Sequence, residues 1–254
     1  MDLRLPPSQS DFQSALRPLL KQLRMSPTFA MSLGSKELFH SNFLGYVFES
    51  REPGLCDLQS SLRDLFRIPR AADEESWCFA YRELSSLDLV LVPVKKVADK
   101  GGDSVADERN YEPSGAPAAV IEAKLKALPS AKQLQGYDQK LRKGVTVQWE
   151  DVDGVARKQS LGLSGKKEML SVERWLLTLD GESPKSADPE YERWPGIAWS
   201  EVAERIATFA SGTIREDLGQ TMSVVFTDYA EGLQRLLAVV QRTRQLYLDS
   251  RSRC

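Results

Sequence analysis

The sequence predicts an α/β fold, a mixed central sheet flanked by helices with further helices at the N- and C-terminal ends, on three observations. β-favouring apolar runs concentrate in the middle of the chain, helical periodicity occupies both ends, and 41% of the 254 residues are hydrophobic, enough for a core without disulfide staples. One domain over residues 1–254 is expected, with a core at about 35–240 and insertions at about 95–117 and 143–170.

Phe12, Leu16, Leu19 and Leu23 recur at helical spacing behind Ser10 and Asp11, and Pro18 predicts a kink or a restart in that helix. In GSKELFHSNFLGYVFES, Ser35 has the position of an N-cap, and Leu38, Phe39, Phe43, Leu44, Tyr46 and Val47 predict a buried helix. Residues 77–94 hold two β-favouring runs around Ser85 and Ser86, which read as an antiparallel pair with a tight connection. A polar, glycine-rich loop follows, and then the apolar run AAVIEAKL resumes as a strand. A helix over 130–142 is started by Pro129 and Ser130 and stopped by Gly144. Residues 145–170 are polar, with Asp153-Gly154 as a turn signal, and read as an inserted hairpin or excursion. RWLLTL, at 174–179, fits a buried strand, although periodicity alone also admits a helical turn. Val202, Ile206 and Phe209 share one helical face, and Tyr229, Leu233, Leu236 and Val240 another.

Charged residues make up 28% of the chain and nearly cancel to a net charge of -2, so no global basic field points to nucleic acid; such a partner would need a local basic surface. Cys56, Cys78 and Cys254 match no zinc spacing and predict a reduced setting. The opening residues lack the apolar core of a signal peptide, and no apolar run approaches a membrane span, so a soluble, cytoplasmic protein is expected.

The stretch that bears on chemistry is AAVIEAKLKALPSAKQLQGY. Strand alternation puts Val120, Glu122, Lys124 and Lys126 on one face and Ile121, Ala123 and Leu125 on the other. A carboxylate and an ammonium in a core strand need compensation, and a sheet-end Glu–Lys pair is as good a reading as a functional one on that pattern alone. Asp88 opens another apolar strand. If the two strands are neighbours, Asp88 and Glu122 converge, and two such carboxylates repel unless a cation lies between them. An oxygen-only site suits Mg²⁺ or Mn²⁺, with Lys124 one pleat away to orient an attacking water and stabilise an oxyanion.

Asp88, then Glu122-Ala123-Lys124, then Gln133-Leu134-Gln135-Gly136-Tyr137 on the following helix resembles the PD-(D/E)XK nuclease superfamily, which has a restriction-endonuclease-like fold. The Q-x-x-x-Y element is similar to that of its RecB and lambda-exonuclease-like branch. The resemblance is specific only over residues 88–137, and Leu87 stands where the motif has proline. It implies that Asp88 and Glu122 are metal ligands and Lys124 the catalytic lysine. Gln133 would line the site, and Tyr137 would position it or touch the substrate backbone. It further implies that Glu37, on the helix before the sheet, is a third acidic ligand and that Asn42 supports the site; an acidic residue in the first turn of a helix also has the plain role of favouring the macrodipole.

Other motifs are weaker. GLSGKK at 162–167 lacks the spacing and the Ser or Thr of a phosphate loop, so no nucleotide cofactor is expected. His40 reads as a core or second-layer histidine, and Trp194 and Trp199 as fold anchors more than base-stacking platforms. The runs Lys95-Lys96, 140–143 and Lys166-Lys167 read as solvated faces able to track phosphate. The implied function is Mg²⁺-dependent hydrolysis of DNA, with RNA open, in phage defence, restriction or repair, by a homodimer or with a partner subunit and without a membrane. The competing expectation is an inactive nuclease-fold subunit that binds nucleic acid or protein in a larger assembly.

Overall fold

The computed structural model describes residues 9–24, 26–27, 36–70, 74–97, 111–124, 128–151, 153–161, 172–179, 181, 191–212 and 219–251. Among them, six helices run in chain order: α1 (Gln9–Arg24), α2 (Lys36–Glu49), α3 (Cys56–Leu65), α4 (Ala131–Lys143), α5 (Trp199–Ser211) and α6 (Gly219–Arg251). The strands are β1 (Glu74–Leu84), β2 (Leu87–Lys96), β3 (Tyr111–Pro113), β4 (Ala119–Ala123), β5 (Val145–Glu150), β6 (Ala156–Leu161), β7 (Glu173–Thr178) and β8 (Gly196–Ala198). Contacts gather them into two units, Glu37–Ala198 and a second made of Met1–Lys36 with Trp199–Cys254.

The larger unit holds a mixed sheet in the order β1-β2-β4-β7-β8. β1 and β2 form the expected antiparallel pair, and Ser85 and Ser86 reverse the chain with φ of 56° and 65°, the positive values a type I′ turn requires at both central residues. β4 pairs antiparallel with β2 and parallel with β7, and β7 pairs parallel with β8. RWLLTL is thus a strand. β3 departs from expectation: the stretch read as loop throughout pairs at Tyr111–Pro113 with the far end of β2, where Lys95 and Glu112 also form an ion pair at 3.3 Å. Three residues are too few for an alternating pattern to announce a strand. β5 and β6 form the expected hairpin, a separate two-stranded sheet, with the Asp151 carboxylate accepting from the amides of Asp153 and Val155 across its turn.

Pleat alternation divides the core. Val90, Val92, Val120 and Leu176 pack on one side with Leu134 and Leu141 of α4, with Val145, Val147 and Leu161 of the hairpin, and with Trp194. On the other side Trp175 donates its indole N–H to the Phe66 carbonyl at 2.7 Å, and Phe66 packs against Phe48 of α2. α2 is buried through Leu44, Val47 and Phe48, but Tyr46, expected inside, is exposed. Ser35 lies outside the described residues, as does the side chain of Leu38. α3 is a helix that periodicity did not reveal, because only Leu58 and Leu62 form its buried apolar stripe; Gln59 and Arg63 are buried beside them, Gln59 donating to the Val47 carbonyl and Arg63 Nη2 to that of Pro69.

In the smaller unit α1 and α5 pack on α6, with Leu16, Val202, Ile206, Phe226, Tyr229 and Leu233 buried. Pro18 neither breaks nor restarts α1, and it sits on the exposed side, where the carbonyl it deprives of a partner can meet water. None of the described helices is long and apolar enough to cross a membrane.

The Trp175 hydrogen bond predicts that Trp175→Phe, which keeps most of the volume and orphans the Phe66 carbonyl, lowers the unfolding free energy by about 1–3 kcal/mol. Chemical denaturation measures this, and an unchanged midpoint would show that water reaches the carbonyl.

Candidate functional site

The two carboxylates arrive from neighbouring strands. Asp88 is the second residue of β2, immediately after the serine turn, and the β2–β4 register, Leu89 opposite Ile121, continued by one residue sets Asp88 across from Glu122. β4 lies between β2 and β7 and all five of its residues are buried, Glu122 being 0% exposed. Lys124 follows the end of β4 and extends its ladder by donating its amide to the Leu177 carbonyl at 2.8 Å. Its Nζ lies 2.6 Å from Glu122 Oε1 and 3.5 Å from Asp88 Oδ2. Asp88 Oδ2 also accepts from the Ala123 amide at 2.9 Å, which fixes its orientation. The site is graded: Glu122 is fully enclosed, whereas the Asp88 and Lys124 side chains are each 17% exposed and form its rim.

α4 supplies the remaining contact. Its start is a capping box between Ser130 and Gln133, and Gly144 with φ 92° ends it, so the helix has fixed limits. Tyr137, inclined against Trp194, donates its hydroxyl to Glu122 Oε1 at 2.7 Å. Both contacts to Glu122 therefore fall on Oε1. Oε2 is buried and has no hydrogen-bond partner among the described residues. Burial raises the Glu122 pKa above its ordinary value, the Asp88 charge raises it further, and Lys124 and Tyr137 pull it part of the way back.

The structure thus joins four residues picked out in the sequence: Asp88, Glu122, Lys124 and Tyr137. Gln133 is placed elsewhere. Its side chain is exposed and its Oε1 accepts from the Ser130 amide at 2.9 Å, so in this arrangement it caps α4 and does not line the carboxylates. The reason is local, because Gln133 is the third residue of the helix, where the nearest unsatisfied donor is the N-cap amide. Asn42 is exposed on α2 and makes no hydrogen bond to Asp88, Glu122 or Lys124 among the described residues. Glu37 lies in the first turn of α2, but its side chain is outside the described residues.

His40 is buried against Phe39, and burial lowers its pKa to about 4, so it is neutral at pH 7. Trp194 and Trp199 are fully buried and anchor the fold. Lys95 is paired with Glu112, Lys140 sits 5.5 Å from the Tyr137 ring, and residues 162–167 with Lys166-Lys167 lie outside the described residues. A buried pair that sequence reasoning missed joins Arg174 Nε to Asp138 Oδ1 at 2.9 Å. Neither residue stands out in the sequence, because α4 also carries Lys132, Lys140, Arg142 and Lys143, and β7 also carries Glu173.

Among the described residues no three histidine, cysteine or acidic side chains converge, and Asp88 with Glu122 forms a pair. Two carboxylates, one with a buried oxygen lacking a donor, are oxygen ligands of the kind a hard divalent cation takes, although the Lys124 ammonium lies against both. The chain matches no protein-family model, no curated protein and no solved structure.

The raised pKa sets a signed prediction for the metal-free protein. A carboxyl whose folded-state pKa lies above its unfolded value adds stability below the unfolded pKa, and that contribution is lost as pH rises through the folded one. Glu122→Gln removes the ionisation penalty and keeps an acceptor for Tyr137. In chelator it is expected to unfold at higher denaturant than the wild type at neutral pH, with the gap closing as pH falls toward 4.5, the ordinary value. A variant less stable at every pH would mean that the Lys124 ion pair dominates.

Proposed function

We propose that the chain is a metal-dependent nuclease of the PD-(D/E)XK superfamily, with a restriction-endonuclease-like core, hydrolysing phosphodiester bonds of DNA in phage defence, restriction or repair. The observation that carries this reading is the enclosed Glu122, opposite Asp88 and beside Lys124, with Oε2 lacking a donor. Such an acid is a liability to folding, which makes a purely structural role a poor explanation for it.

Asp88 and Glu122 would hold Mg²⁺ or Mn²⁺, with Glu37 as the third acidic ligand. The ion supplies Lewis-acid stabilisation of phosphoryl oxygens and a lower pKa for water. Tyr137 fixes the Glu122 carboxylate through Oε1 and leaves Oε2 for the ligand. Lys124, on the rim beside both carboxylates, would orient the attacking water and balance charge that builds on the phosphoryl group. Water adds to phosphorus, the P–O ester bond breaks, and the leaving oxygen takes up a proton. Gln133 would serve the site only after leaving its cap, and Asn42 only as a rim contact to substrate. A cut in both strands from one site per chain would favour a homodimer or a partner subunit.

One observation favours a second reading, an inactive nuclease-fold subunit that binds nucleic acid or protein within a larger assembly: the Lys124 ammonium already bridges the two carboxylates. The readings separate in a cleavage assay on linear duplex, circular and single-stranded DNA and on RNA, with and without Mg²⁺ or Mn²⁺. Metal-dependent cleavage by the wild type, reduced about 10²-fold or more in Asp88→Ala and in Lys124→Ala, is expected. Binding without cleavage by all three proteins, indifferent to metal, would establish the inactive subunit instead.

A further inference from the structure

α4 has a second polar surface that the carboxylate site does not use. Gln135, Asp138, Gln139 and Arg142, at helical neighbour spacings, share a face centred about 150° around the helix from Tyr137. With Arg193, at the end of the short helical turn Tyr191–Arg193, they line a cavity of about 220 Å³. Asp138 is buried, and its two oxygens are covered by different guanidiniums: Oδ1 by Arg174 Nε at 2.9 Å and Oδ2 by Arg193 Nη1 at 3.4 Å. Arg174 is itself buried and donates to the Val172 carbonyl as well.

The Asp138–Arg174 pair accounts for its own burial, so the other donors around the cavity are surplus to that pairing. Arg193 is 49% exposed, and Gln135, Gln139 and Arg142 make no hydrogen bond or ion pair among the described residues. Three guanidiniums against one carboxylate leave a positive excess, and two neutral amides add donors without adding charge. Arginine forks match the geometry of oxyanions in pairs of parallel hydrogen bonds. The volume is below the roughly 300 Å³ at which pockets begin to enclose whole drug-sized ligands, so it suits one phosphate group better than a complete nucleotide.

We propose that this cavity binds a phosphate group, as the free ion or as the terminal group of a phosphomonoester, between Arg142 and Arg193. Gln135 and Gln139 donate from the helix, and the Asp138–Arg174 pair holds Arg193 in position. The site is independent of the carboxylates, which lie on another face of α4.

Calorimetric titration of the whole chain at constant ionic strength tests it, with inorganic phosphate, a nucleoside 5′-monophosphate and a short oligonucleotide without terminal phosphates as probes. Phosphate, or phosphate and the monoester, is expected to bind saturably at one site. Arg142→Gln and Arg193→Gln should each weaken that binding about tenfold or more, and Glu122→Gln should leave it unchanged. Both arginines have exposed side chains, and melting curves confirm that each variant is folded. Absence of saturable binding, binding untouched by both arginine substitutions, or binding of the oligonucleotide alone would overturn the assignment.

Discussion

A carboxylate in the middle strand of a sheet is the constraint around which the larger unit is arranged. β4 is buried along its whole length and Glu122 is fully enclosed, and an ionised carboxylate held there costs several kcal/mol unless its charge and lone pairs are met. Charge-assisted hydrogen bonds contribute about 1.5–3 kcal/mol each, and Glu122 receives two, both on Oε1. The unpartnered Oε2 and the neighbouring Asp88 work against them, and the upward shift of the Glu122 pKa shows which side prevails. Much of the surrounding structure follows from supporting those two contacts. Tyr137 reaches Glu122 because α4 is capped at Ser130, stopped at Gly144 and inclined against Trp194, and Lys124 reaches it because the β4–β7 ladder continues one residue past the strand.

Two buried acids among the described residues of the larger unit, Asp138 and Glu122, make an instructive contrast. Asp138 has a guanidinium on each oxygen and lies in a setting of positive excess, so its charge is settled by the protein alone. Glu122 is enclosed more completely, faces a second acid and has one oxygen left over. A group serving only the fold is expected to resemble the first, because evolution of stability removes unmet buried charge; a group reserved for a ligand resembles the second. On the opposite side of the sheet Trp175, Phe66 and Phe48 pack, and the buried Gln59 and Arg63 donate to carbonyls.

Much of the fold was legible because its elements obey local rules. The hairpin at Ser85-Ser86, the β5–β6 excursion around Asp153-Gly154 and the limits of α4 each depend on residues within a few positions of one another. What was not legible depended on distant partners. α3 buries only Leu58 and Leu62 as an apolar stripe, with Gln59 and Arg63 donating to carbonyls elsewhere, and β3 is a strand only because the end of β2 lies beside it. Tyr46 has the sequence pattern of a core residue but is 43% exposed. Gln133 carries two patterns at once, the local S-x-x-Q of a cap and the first position of Q-x-x-x-Y, and the structure shows it in the cap.

For the site, the sequence determined which chemistry was available, namely Asp88 opening one strand, Glu122 and Lys124 closing another, and Tyr137 one helix later, since residue type and spacing are written in the chain. Only the tertiary structure decided that β2 and β4 are neighbours in a register that opposes the two acids, that both contacts to Glu122 fall on one oxygen, and that Gln133 stays at its cap. Strand pairing and side-chain burial are set by the packing of segments far apart in sequence, so no local pattern encodes which carboxylate oxygen is left without a donor.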